Sequence, residues 1–186
     1  MIDQASSRRH GRRRFLRTVV PPLALSLAGL SVSPAAAAVP ERRLELYHCH
    51  TGEMFSAVYF ADGRYLPEAL QAATHHLRDW RDNTELPVDP ALLDLIWSLR
   101  HALETTAPIQ IYCGYRSPET NAMLRRSRRG VALHSLHMRA MATDLHVEER
   151  ALANVRDAAM SLRRGGVGYY PRSGFVHVDT GEIRYW

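Results

Sequence analysis

The segment Phe175-Val176-His177-Val178-Asp179 constrains the chain more than any other stretch of its length. Successive side chains of a β-strand point to opposite faces. The alternation therefore puts Phe175, His177 and Asp179 on one face and Val176 and Val178 on the other. Ala142 to Val147 reads as a strand of the same kind, with Ala142, Asp144 and His146 together. Arg43 to His50 also alternates, Leu44, Leu46 and His48 against Glu45, Tyr47 and Cys49, and turns through Thr51-Gly52-Glu53 into Met54 to Phe60, which predicts a β-hairpin. Ile109 to Cys113 is a further strand. Phe175 to Asp179, the turn Thr180-Gly181 and Glu182 to Trp186 predict a second hairpin.

Between these strands the period changes. Leu66, Leu70, Ala73, Leu77 and Trp80 recur at helical spacing behind Pro67 and predict a helix to about Asn83. A second helix runs from about Pro90 to Thr105 with Leu93, Ile96, Leu99 and Leu103 inward; both apolar stripes read as scaffold. Ser117-Pro118-Glu119 combines a side-chain cap, a proline at the first helical position and an acid in the first turn, so a helix starts there and ends near Arg126. The basic loop Arg125 to Gly130 reads as a solvated surface. Glu148 to Leu162 is a helix, and Gly165-Gly166-Val167-Gly168 its exit. With no repeat, low-complexity run or linker after residue 40, the expectation is a single α+β domain, an antiparallel sheet with flanking helices.

The charge separates the chain into two parts. Its 186 residues carry a net +5, which at first suggests a nucleic-acid or membrane-surface partner. Six arginines and one acid lie before residue 39, however, and residues 39–186 hold 18 arginines and 18 acids. The excess therefore belongs to a leader, and a nucleic-acid partner is not expected. Residues 1–38 have a basic start, an apolar stretch from Val19 to Val32 broken by Pro21, Pro22 and Gly29, and a closing run of alanines, the layout of an export signal. The apolar stretch is too short and interrupted to remain as a membrane anchor. Arg12-Arg13-Arg14-Phe15-Leu16-Arg17 resembles the twin-arginine signal, which implies the twin-arginine translocase as partner during export and the bacterial periplasm as destination. Cys49 and Cys113 are compatible with a disulfide in that compartment or with two buried free thiols.

The chemistry concentrates in the two strand-like stretches that contain histidine. His137 and Asp144 are seven residues apart across a turn-like segment, and His177 lies on the polar face of its strand. Two histidine nitrogens and one carboxylate oxygen make a three-ligand metal site with a fourth position open to water, as catalytic zinc requires. Each histidine taken singly also fits an ordinary hydrogen-bonded role.

Together the motifs are informative. Ser135-x-His137-x-x-Ala140-x-Ala142-x-Asp144 resembles the Ser-x-His-x-x-Gly-x-Ala-x-Asp signature of M15-type zinc peptidases. Cys113-Gly114-Tyr115-Arg116-Ser117-Pro118-Glu119-Thr120-Asn121 and Phe175-Val176-His177-Val178-Asp179 are similar to the exported branch typified by murein endopeptidase K. The likeness runs from the Leu46-Tyr47-x-x-His50-Thr51-Gly52-Glu53 hairpin to Arg184-Tyr185-Trp186. It implies Zn2+ as cofactor, His137, Asp144 and His177 as its ligands, and Arg116 beside them, where a guanidinium suits a developing negative charge. Ser135 and His134 adjoin the first ligand as candidate orienting partners, and His146 is a fallback ligand. The implied activity is hydrolysis of amide bonds in peptidoglycan stem peptides or their cross-links.

Two positions depart from that pattern. Ala140 replaces the family glycine, which matters if the position needs a positive φ. Gly174 stands where many relatives place the acid that deprotonates water, three residues before the last histidine. Asp179, on the same strand face as His177, is the candidate substitute base or else a partner of the ligand. The missing acid motivates a rival reading, a non-catalytic cell-wall-binding module on the same fold.

Overall fold

The structure is a computed structural model that describes residues 40–127 and 130–186, all within a single unit, residues 37–186. The leader, its arginine motif and the alanine run up to residue 38 lie outside the described residues. Among the described residues eight strands form one mixed sheet. In chain order they are β1 (Arg42–His48), β2 (Met54–Ala61), β3 (Arg64–Tyr65), β4 (Ile109–Cys113), β5 (Ala142–His146), β6 (Gly166–Tyr170), β7 (Phe175–Asp179) and β8 (Arg184–Tyr185). Across the sheet the order is β3-β2-β1-β4-β5-β7-β6-β8. The pairings are antiparallel except β1 with β4 and β6 with β8. Among the described residues four helices accompany it: α1 (Pro67–His76), α2 (Pro90–Ala102), α3 (Pro118–Ser127) and α4 (Leu152–Leu162). The expected single α+β domain is thus observed, with two parallel joins in its otherwise antiparallel sheet.

The apolar face of the alternating strands meets the helices. Leu44, Leu46, Ile109, Ile111, Leu145, Val176 and Val178 are fully buried and share one cluster with Leu92, Ile96 and Leu99 of α2 and Val155 and Ala159 of α4. Each such side chain contributes roughly 1.5–3 kcal/mol by leaving water. Truncating one, as in Ile96→Ala, costs about 2–5 kcal/mol once the cavity is included. With Val176 and Val178 committed to this core, the strand period turns His177 and Asp179 to the opposite side.

Three local expectations are corrected. The first helix stops at His76, because Leu77 turns out of the helix and its carbonyl accepts from the Tyr115 backbone N–H at 2.6 Å. Arg78 then folds back, donating to the His75 carbonyl at 2.8 Å and to both oxygens of Glu53 at 2.8 and 2.9 Å, which satisfies a helix-end acceptor. The last helix begins at Leu152 and not Glu148. There Arg150 donates to the carbonyls of Leu103 and Glu104, both at 3.0 Å, and holds the preceding turn open.

The third correction concerns the closing hairpin. β7 pairs with β6, and β8 crosses to the outer edge of β6 and runs parallel to it. Gly166 and Gly168 make this possible, since a Cβ on Gly166 would lie 2.5 Å from Arg184 Nη1 and one on Gly168 2.7 Å from the Trp186 ring. These glycines are strand residues that admit the two side chains, and not only a helix exit. The Ser117 cap forms as expected, its Oγ accepting from the Thr120 N–H at 3.0 Å.

Candidate metal centre

Asp144 and His177 are direct cross-strand partners in the β5–β7 register, so the sheet itself sets their side chains together. His137 arrives from a 3-10 turn, Leu136–Arg139, that ends at Ala140 with φ +52 and ψ +31. This left-handed residue closes the turn into β5, so the position does need a positive φ, and alanine occupies it at a cost of about 1–2 kcal/mol. Both histidines and Asp144 are buried.

The three side chains converge through one atom each. His137 Nε2 is 3.1 Å from His177 Nδ1 and 3.2 Å from Asp144 Oδ1, and His177 Nδ1 is 2.9 Å from the same oxygen. Their outer partners fix the tautomers. His137 Nδ1 lies 2.6 Å from the Gly114 carbonyl oxygen, which can only accept, so Nδ1 carries the proton and Nε2 a lone pair. His177 Nε2 lies 3.0 Å from Asp179 Oδ2 and donates to that carboxylate, which leaves a lone pair on Nδ1. In the neutral form three lone-pair atoms thus face one another across about 3 Å; without a metal, a proton on His137 Nε2 bridges it to Asp144, and a cation held by all three atoms takes that proton's place. Bonds of about 2.0–2.1 Å to a tetrahedral zinc would set such donors about 3.3–3.4 Å apart, so the triangle fits a zinc-sized ion.

That His137 proton is strongly held in the metal-free site. Burial opposes a charged His137 imidazole, yet the Asp144 carboxylate and the Cys113 thiol beside it outweigh burial and push it up to about 10. Burial likewise opposes the Asp144 charge, and the two histidines overcome it and hold the carboxyl well below its usual range. Among the described residues, Cys113 also lies with His137 and Asp144 as a potential donor group. Its sulfur takes a 3.5 Å contact from Arg116 Nη2. The His177 nitrogen, within 3.1 Å of both other donors, completes the tighter triangle. Both cysteines are free thiols.

The remaining residues singled out in the sequence divide between the centre and its surroundings. Arg116 enters the same cleft, with Nη2 3.9 Å from Asp144 Oδ2, Nη1 donating to Asn121 Oδ1 at 3.4 Å and Nε buried without a partner. Its backbone N–H donates to the His137 carbonyl at 3.2 Å, which ties the segment after β4 to the 3-10 turn. Asp179 sits on the far side of the His177 ring from the donor triangle and is fully buried. It accepts from the N–H groups of Gly166 (3.0 Å) and Gly181 (2.9 Å) and from both Arg184 terminal nitrogens. Ser135 and His134 line the cleft, but neither bonds the His137 ring among the described residues; the Gly114 carbonyl does that work. His146 lies opposite Gln110 and outside the cleft lining. Gly174 has φ +75 in the β6–β7 turn, where a Cβ would meet nothing within 4 Å.

The cleft above the centre encloses about 450 Å³ and is walled by Tyr112, Phe175, Tyr170 and Trp186 on the sheet side. Sequence reasoning missed two features beside it. A backbone acceptor such as Gly114 leaves no side-chain signal, although the glycine itself is required: a Cβ there would lie 2.4 Å from the Leu77 carbonyl oxygen. Trp80, read as part of a core stripe, instead stacks on His50 at 4.3 Å.

Comparison with known proteins agrees with this geometry. The M15 peptidase family model described as Peptidoglycan L,D-endopeptidase MepK matches residues 36–186. The Peptidoglycan L,D-endopeptidase MepK of Escherichia coli K12 is 45% identical over 172 residues, 87% of this chain and 94% of the relative. The protein of that name from Shigella flexneri shows the same identity and coverage. The Probable peptidoglycan L,D-endopeptidase MepK of Haemophilus influenzae is 37% identical over 176 residues, 94% of this chain and 95% of the relative. The chain belongs to the peptidoglycan L,D-endopeptidase MepK family of M15 peptidases.

Proposed function

We propose that this chain is a zinc-dependent endopeptidase that hydrolyses L,D amide bonds in the cross-links of peptidoglycan stem peptides, acting in the periplasm after export through the twin-arginine translocase. The observation that carries the reading is the triangle of potential metal donors, His137 Nε2, His177 Nδ1 and Asp144 Oδ1, at the floor of a cleft. An extracytoplasmic site of action follows from a peptidoglycan substrate, and the family match starting at residue 36 is consistent with a separate leader over residues 1–38. Among the described residues no helix is long and apolar enough to cross a membrane.

When bound in this triangle, zinc supplies a Lewis acid for the scissile carbonyl and activates water as the nucleophile. The protein's own groups set the geometry. Gly114 turns His137 through its carbonyl, and Asp179 turns His177 through its carboxylate. Arg116, with Nε unpartnered, offers donors to the carbonyl oxygen as negative charge develops there. We assign Asp179 to positioning and not to proton abstraction, because its two oxygens already take five contacts and none of its surface is open to the cleft. Asp144 is the single carboxylate that lines the cleft among the described residues, so proton transfer falls to a cleft histidine or to the substrate.

Incubating the purified mature protein with cross-linked muropeptides, with and without a chelator, tests the reading by mass analysis of the products. New L,D-cleavage products that vanish with chelator and return with zinc are expected. Binding without any product would instead establish the non-catalytic module.

A further inference from the structure

Three arginines line the cleft, Arg81, Arg116 and Arg184, against the single carboxylate Asp144. Two have hydrogen-bond partners as well as a nearby carboxylate. Arg184 grips Asp179 at 2.7 and 3.1 Å, and Arg116 lies beside Asp144. Arg81 differs. Among the described residues its side chain makes no hydrogen bond, and Nη1 is buried with no acceptor. The carboxylate nearest to it, Asp79, is 3.8 Å away. Asp79 is already occupied, accepting from the Arg81 backbone N–H at 3.1 Å and from the Ser117 N–H at 2.9 Å.

Arg81 is nevertheless held in place. Its guanidinium lies over the Trp80 ring at 4.2 Å, and Trp80 stacks on His50 with the planes 23° apart. His50 also lines the cleft and begins a row of rings that leads toward the metal centre. Tyr112 is 6.4 Å from His50, Phe175 6.2 Å from Tyr112, and Tyr170 4.8 Å from Phe175. Arg81 thus marks the end of an aromatic wall, on the turn that follows α1. A guanidinium that is fixed, partly withdrawn from water and faced only by a 3.8 Å ion pair, with no hydrogen bond, carries a desolvation cost that is only partly recovered. A planar carboxylate recovers it through paired donors.

We propose that Arg81, seated on Trp80, is a specificity-determining residue that receives a free carboxylate of the stem peptide lying outside the scissile amide. This rests on the L,D-endopeptidase reading, whose substrates are peptides with carboxyl groups of their own beside the bond that is cut. The row Tyr170-Phe175-Tyr112-His50 supplies the wall along which the peptide reaches from the metal centre to Arg81.

The test compares two muropeptides with the same cross-link, one with its side carboxylates free and one with them converted to carboxamides. The wild-type enzyme should favour the free acid by about 10- to 100-fold in kcat/KM, mostly through KM. Arg81→Gln should lose that preference and cleave both substrates at the wild-type rate for the carboxamide. Arg81→Lys should recover part of it, because the charge remains and the fork does not. Metal content should be equal in all three proteins, which separates recognition from damage to the centre. Equal wild-type rates on both substrates, or an unchanged preference in Arg81→Gln, would overturn the proposal while leaving the endopeptidase reading intact. If the wild type cleaves neither substrate, the endopeptidase reading fails and this assignment falls with it.

Discussion

Asp179 lies behind His177, its Oδ2 accepting from His177 Nε2 at 3.0 Å while Arg184 Nη2 holds the same oxygen at 2.7 Å. The carboxylate therefore selects the tautomer that leaves Nδ1 facing Asp144 and His137. A partner behind a ligand raises its basicity and fixes its orientation, and losing one typically costs 10- to 100-fold in metal affinity.

Replacing Asp179 by Asn separates positioning from proton transfer. The account predicts zinc affinity reduced by about 10- to 100-fold in a chelator competition, with turnover largely restored at saturating metal. Unchanged affinity with collapsed turnover would assign Asp179 to the base role instead.

Ala140 occupies a left-handed conformation that glycine adopts freely. Ala140→Gly should stabilise the protein by about 1 kcal/mol, read as a higher urea midpoint with an unchanged m-value. Zinc content should not fall, because the turn that presents His137 keeps its shape.

Gly114 joins two requirements at one residue. A Cβ there would lie 2.4 Å from the Leu77 carbonyl oxygen, and its own carbonyl holds His137. Gly114→Ala should lower stability by about 1–3 kcal/mol as the backbone shifts and weaken zinc binding as well. Denaturant melts paired with metal analysis should show both losses together.

Acid should weaken the fold through two histidines away from the metal centre. Burial first, and then the neighbouring His50, lowers His48 to about 4; burial and then His48 lower His76 to about 4. Each Nε2 is buried with no partner to stabilise a charge. An unfolded histidine takes up its proton near pH 6.5, so between 6.5 and 4 the unfolded chain binds more protons than the folded one. The stability present above pH 6.5 is lost as pH falls through that window, by on the order of 3 kcal/mol per histidine. Asp144 and Asp179, both held below the usual carboxylate range, take effect only at lower pH. Urea melts from pH 7 to pH 4 should show the decline, and His76→Leu should make it shallower.

What the sequence reveals about this molecule depends on how local the cause is. The β5 and β7 strands were legible from a period of two, and that period alone placed Asp144 and His177 on cleft-facing sides. The Ser117 cap was legible because its partner, the Thr120 N–H, is three residues away. The closing hairpin was misread because the destination of β8 is set by Gly166 and Gly168, whose missing side chains make room for residues nearly twenty positions later. Trp80 carried a helical spacing that placed it in the core, yet the early end of α1 turned it onto His50. The Gly114 carbonyl and the Arg81 guanidinium could be seen only in three dimensions, since one is a backbone acceptor and the other is marked by the hydrogen bond it lacks.

The most direct test of the central claim is the metal stoichiometry of the purified protein and of three variants, His137→Ala, His177→Ala and His146→Ala. The triangle of His137, Asp144 and His177 predicts one zinc per chain in the wild type and in His146→Ala, and none in the other two. Full zinc in either His137→Ala or His177→Ala would contradict it.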